Sequence, residues 1–323
     1  MWASAAILVG WLALAIMRAW QVGASASQVG PYLYAPLVIV LGAWLGWWAG
    51  QRLDPQTVAK IVIVAVAYIA LAALITNHPG RGAIGYANAN ASFAVQLIAL
   101  AGLIALHHRA RWHGLAAVAI GVVALLANAS QGGTATGLIV LAAVVVALLH
   151  RGARRRWPPV VLSLGTCMLA VAVLMSLARR TVWPDWALTA LSRLRQDMWN
   201  AAWAAFRRAE TFGFGPGGYA QVNPWARDAD TMSAHSLPLQ VAAELGGVGL
   251  ILLTLLFLCG LAVAATAHNP QATWITVAAW TALSAHAFMD HLLEYWPIPL
   301  AAGLVLGYGL VAQTHAEAED QVV

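Results

Sequence analysis

Residues 159–177 read PVVLSLGTCMLAVAVLMSL, a run without a single charge. At 1.5 Å per residue, a helix of this length crosses the hydrocarbon core of a bilayer. The run does not alternate polar and apolar positions and is too long for a membrane strand, so it is no barrel element. Similar runs fill most of the chain. Of 323 residues, 61% are hydrophobic and only 9% are charged, against about a quarter charged in a soluble globule. So little polar surface cannot cover a water-soluble fold, and in lipid the backbone must satisfy itself within helices. The pattern gives ten spans, at 3–20, 31–50, 58–76, 86–106, 114–128, 133–149, 159–177, 247–267, 272–290 and 297–313. The fold class is all-α, a polytopic membrane bundle forming one domain over residues 1–323. A long loop, 178–246, joins spans seven and eight.

Charge orients the bundle. With the N-terminus inside, the cytoplasmic loops hold Arg52, Lys60, Arg109, Arg111, Arg151, Arg154, Arg155 and Arg156. The short outer loops hold only Arg18 and Arg81. This bias puts the loop 178–246 on the extracytoplasmic side. The net charge of +5 reflects topology and does not call for nucleic acid. Cys167 and Cys259 lie inside apolar runs and read as small core residues, with no disulfide framework. The first run reads as a retained span.

Three polar patches fall on the outer side. Residues 77–93, NHPGRGAIGYANANASF, place Arg81 ahead of a span that opens with Asn88 and Asn90. The asparagines suit helix capping, and a guanidinium near a helix N-terminus suits a phosphate. Residues 128–137, NASQGGTATG, suit a tight turn and close helix packing. The long loop is richest. Leu191, Leu194, Met198, Ala202 and Ala205 recur at helical spacing, so 190–209 reads as an amphipathic helix at the membrane interface. On it Arg193 and Asp197 are spaced to pair, as are Arg195 and Trp199 to share a face. Arg207 and Arg208 read as solvated or lipid-phosphate contacts. Trp183, Trp186, Trp199, Trp203 and Trp225 fit an interfacial aromatic belt. The turn GFGPGG, 213–218, allows close backbone approach. His235 follows in SAHSLPLQ, and Glu244 opens the next span, where a carboxylate is costly unless paired or functional.

Taken in order, these pieces resemble the O-antigen ligase and O-antigen polymerase superfamily. They are Arg195 with Trp199, Gly213 with Gly215, Ala234–His235–Ser236 with Leu239–Gln240, and Glu244 leading to Gly246 and Gly249. Upstream, Arg81, Gly85 and Asn90 resemble the family's segment opening a span. The resemblance covers roughly residues 75–265. It implies a bacterial cytoplasmic-membrane enzyme with its site on the extracytoplasmic face. Such an enzyme moves a glycan from a polyprenyl (undecaprenyl) diphosphate to the hydroxyl of a lipid, glycan or protein acceptor, with no metal and no cofactor. Two positions depart from the family. Ser130–Gln131 stands where members often carry Ser-Arg, and Ser236 stands where an Asn often follows the loop histidine.

The chemistry fits the residue types independently. A diphosphate leaving group needs fixed cations, for which arginine is suited. An alcohol acceptor benefits from a base such as histidine. The catalytic candidates are therefore His235 and Arg195. The substrate-binding candidates are Arg81, Arg193, Asn90, Gly213, Gly215 and Glu244, the last to position the loop or pair with an arginine. The alternative is a transporter or flippase of lipid-linked sugars, with His286 and Asp290 as a proton relay and His291 and Glu294 just beyond. That spacing matches no recognised zinc pattern. The absence of repeated halves or paired broken helices counts against a carrier. A structural subunit would leave the arginine–glycine–histidine order unexplained.

Overall fold

The structure, a computed structural model, describes residues 2–76, 82–149, 155–228 and 231–311, and it places no strand among them. Its helices are α1 (Trp2–Val22), α2 (Ala26–Arg52), α3 (Pro55–Thr76), α4 (Ala87–Ala105), α5 (Arg111–Ala127), α6 (Gln131–Leu149), α7 (Trp157–Ala178), α8 (Asp185–Leu191), α9 (Arg193–Arg208), α10 (Gly218–Val222), α11 (Leu237–Ala265), α12 (Pro270–Ala287) and α13 (Pro297–Gly309). Among the described residues eight helices, α1–α7 and α11, are long and apolar enough to cross a membrane. Their outward side chains are large and apolar, as at Val64, Ile75, Met168 and Leu169. Such surface is at rest in lipid, not in water. The chain is a multi-pass helical membrane protein.

All ten expected spans are helical, but two fall short as crossing segments. α13 has 13 residues, well under the roughly 20 that a bilayer needs. α12 has 18 residues, and three threonines, two tryptophans, a glutamine and a histidine dilute its apolar character. It also stops at Ala287, so Asp290 lies in a loop beyond it. The expected helix 190–209 is two helices. Ser192, at φ +83°, closes α8 and caps α9 by accepting from the Arg195 N–H. The eighth span begins earlier than expected, at Leu237, and breaks at Gly246 (φ +67°).

The chain forms two compact units. The second contains Leu37–Thr166, Gly260–His286 and Tyr295–Val323. Its centre is α4, buried on nearly every side, as expected of a helix apolar all round. It packs against α3, α5, α6 and α13. Within this unit α2 and α13 meet through two pairs of glycines spaced four apart, Gly42 with Gly46 and Gly303 with Gly307. A Cβ added at Gly303 would lie 2.2 Å from the Ile39 carbonyl oxygen. Small residues at this spacing let helix backbones touch, which is how helices associate where lipid removes the hydrophobic drive. The short α13 is held this way.

The first unit contains Met1–Pro36, Cys167–Cys259 and Ala287–Glu294. One cluster joins Trp11, Leu14 and Tyr32 to Val241 and Leu245. Another joins Trp183, Trp199, Ala202, Ala205 and Tyr219 to Leu239 and Ala243. The buried face of α9 therefore meets protein. Trp183 and Trp199 are packed edge to face at 5.0 Å and are buried, so these two are core residues and not part of the expected belt. Leu194, expected in the buried stripe, is exposed, and Trp199 takes that part.

Replacing Gly303 by Leu should force α2 and α13 apart and cost about 1–3 kcal/mol. A lowered melting temperature in detergent checks this, and an unchanged one would contradict the close contact.

Candidate active site

The candidate site lies in the first unit, around Asp290. The capped start of α9 fixes Arg195, and the loop after α12 delivers Asp290, which is 1% exposed. Arg195 Nη2 lies 3.3 Å from Asp290 Oδ2. The other carboxylate oxygen, Oδ1, faces His235 Nδ1 at 3.2 Å and His291 Nδ1 at 3.0 Å, and it accepts the His291 backbone N–H at 2.9 Å. The two imidazoles stand edge to face, 4.4 Å apart. Burial by itself would raise the Asp290 carboxyl. The hydrogen bonds from His235 and His291, followed by the charges of His291 and Arg195, outweigh it and hold the group well below the usual carboxylate range. Glu294 goes the other way, raised by burial despite the nearby histidines.

His235 sits at φ +45°, a left-handed conformation that a non-glycine residue holds only where its surroundings demand it. They do so here. Its N–H donates to Ser233 Oγ, its carbonyl accepts from Trp199 Nε1 at 3.4 Å, and its ring is pinned between Asp290 and His291. Two buried atoms beside this arrangement, Arg195 Nε and Ser236 Oγ, have no hydrogen-bond partner among the described residues. Unsatisfied buried polar atoms call for an explanation, and a polar ligand is one.

The glycine turn serves as support. Phe214 and Gly215 donate their N–H groups to the carbonyls of Ala243 and Glu244, at 2.9 and 2.8 Å. Gly247 and Val248, past the kink, donate to Glu210 and Thr211. A Cβ at Gly213 (φ +64°) would lie 2.3 Å from the Glu244 carbonyl carbon, so the turn and the broken helix meet backbone to backbone. Arg18 adds two hydrogen bonds, to the carbonyls of Phe212 and Gly213. The Glu244 carboxylate accepts from Tyr32 Oη at 2.6 Å, Gln240 Nε2 at 2.8 Å and Tyr219 N at 3.3 Å. It pairs with no arginine among the described residues.

The structure thus brings together His235 and Arg195, and sets Gly213, Gly215 and Glu244 beneath them as scaffold. Arg193 is exposed at the start of α9 and forms no ion pair with Asp197 among the described residues. Asn90 belongs to the second unit, buried in α4, where its Oδ1 accepts from the Ile84 N–H. Beside it Asn88 accepts from Ser130 Oγ at 2.7 Å. Arg81 lies outside the described residues. Sequence reasoning had Asp290 only in a carrier's proton relay, with His291 just beyond it. Their partners stand 55 and 95 positions away, and the run of titratable residues just past an apolar helix was the available signal. His235, Asp290 and His291 also offer ligand atoms within 4.8 Å of one another, close enough to share a metal ion. The Arg195 guanidinium on the same carboxylate opposes a second cation there.

Residues 116–254 match the O-antigen ligase family. The match supports assignment to the O-antigen ligase and polymerase superfamily, and with it an O-antigen ligase-like glycan transfer in general. It takes in α9, the glycine turn, His235 and Glu244, while Asp290 lies beyond it. No curated protein matches the chain.

Ionised Asp290 is stabilised by folding. Its folded-state value is depressed, so its contribution is present above the ordinary carboxylate value of about 4 and is lost as pH falls below it. Melting temperatures in detergent should drop on acidification below about pH 4, and Asp290→Asn should flatten that drop.

Proposed function

We propose that the protein transfers a glycan from a polyprenyl diphosphate carrier to an acceptor hydroxyl at the extracytoplasmic face of a bacterial cytoplasmic membrane. One observation carries this reading: Asp290 holds a histidine and an arginine on its two oxygens, side by side. With Nδ1 directed to Asp290, His235 takes the acceptor proton at Nε2. The acceptor oxygen then forms the new bond to the anomeric carbon as the bond from that carbon to the diphosphate oxygen breaks. The diphosphate departs with the electron pair, and Arg195, with its Nε still to be satisfied, balances the growing charge. Asp290 orients the imidazole and stabilises it once protonated, as buried carboxylates do for catalytic histidines. Arg193, exposed at the start of α9, is proposed to meet the donor's phosphates.

The reaction needs no metal, since the cations it requires are arginines. Purified protein, reconstituted with lipid-linked glycans and acceptors from its host, should release polyprenyl diphosphate. His235→Ala should slow release by about 10²–10⁴-fold, and Asp290→Asn on the order of 10² or more, each with folding intact. Variants that match wild type would sink the assignment. Release should also continue in EDTA. Loss on chelation, restored by zinc, would instead make His235, Asp290 and His291 metal ligands.

A further inference from the structure

Helix α9 has a second face. Opposite Arg195 it lines a groove of about 280 Å³, walled by Asp197, Asn200, Ala201, Ala204 and Arg208 on the helix and by Trp225 across from it. Asp197 and Asn200, one turn apart and half-buried, make no hydrogen bond or ion pair among the described residues. Trp225 is 40% exposed, and its described neighbours are hydrogen-bonded to one another. Its N–H donates to Asn223 Oδ1 at 3.0 Å, and buried Asn223 in turn donates to the Thr231 carbonyl at 2.9 Å. Thr231 Oγ1 accepts from the N–H groups of Arg227 and Asp228. The other end of this wall is tied to α9 by Tyr219 Oη, which donates to the Met198 carbonyl at 3.0 Å. The groove is thus lined by the Trp225 ring, by polar groups and by Ala201 and Ala204.

We infer that this groove is a saccharide-binding subsite. A pyranose has an apolar face that stacks on an indole ring and a rim of hydroxyls that both donate and accept. Here the indole is Trp225, the acceptor is the Asp197 carboxylate, and Asn200 supplies both donor and acceptor. Alanine at two neighbouring floor positions leaves room for the ring to lie flat. The Asp197 carboxylate offsets the Arg208 charge in the same groove, so no net positive charge selects a phosphate. A purely apolar occupant would leave Asp197 and Asn200 without partners. From Asp197 to Arg208 the groove runs about 16 Å along the helix, longer than one sugar ring, so it takes a short oligosaccharide. That the bound sugar is the transferred or accepting glycan rests on the reaction proposed above; the binding itself does not.

Saturation-transfer difference NMR on the detergent-solubilised full chain, with free maltotriose, cellotriose and chitotriose, tests this. At least one should show ring-proton enhancement. The enhancement should persist in Trp225→Phe and weaken in Trp225→Ala, with affinity reduced about tenfold or more. His235→Ala, which removes the proposed base, should bind the sugar as wild type does. Binding kept without turnover would therefore uphold the groove even if the reaction were misassigned. Absence of enhancement with all three sugars, or enhancement unchanged in Trp225→Ala, would overturn the inference.

Discussion

A carboxylate taken almost wholly out of water must be met by partners, and Asp290 meets this constraint three times over. His235 and His291 occupy one oxygen and Arg195 the other. Without them the carboxylate would be a buried, unpaired charge, a costly state. The same requirement explains why the loop after α12, the loop before α11 and the start of α9 arrive at one place. It also gives His235 a reason to tolerate a left-handed backbone. The strain is small beside the cost of an unpaired carboxylate.

Beneath that centre the support is backbone, not side chain. The turn 213–218 and the break at Gly246 exchange main-chain hydrogen bonds from both directions, so a membrane helix that would otherwise continue is opened and its loose groups are satisfied. Broken helices survive in membranes only where protein covers them. Glu244 completes the join. Its carboxylate gathers Tyr32 from α2, Gln240 one turn back, and the backbone of α10. It serves the scaffold, and the arginines act elsewhere.

The helices were legible because lipid imposes a blunt rule. Uncharged runs of about twenty residues have few other uses, and apart from the early start of the eighth span their limits lie close to the observed ends. The amphipathic stretch was readable as helical, but not the break at Ser192, since serine seldom adopts positive φ. Nor could spacing distinguish Leu194, which is exposed, from Trp199, which is buried. A tryptophan suits both an interface and a core. Within the site, His235 and Arg195 stood out as polar groups in a polar loop. Asp290 was visible only as one titratable residue after an apolar helix, because nothing local in the sequence encodes a contact across 95 positions. The glycines of α2 and α13 were hidden for the same reason, each pair meaningful only opposite the other.

Helix α9 runs unbroken from Arg193 to Arg208, with Arg195 on one side and the groove on the other. A rigid rod of this kind acts as a ruler. The rise along it fixes the separation between whatever grips a sugar chain and the atoms that would make and break its linkage. Chains of different length, gripped at the same point, would present different sugars to those atoms.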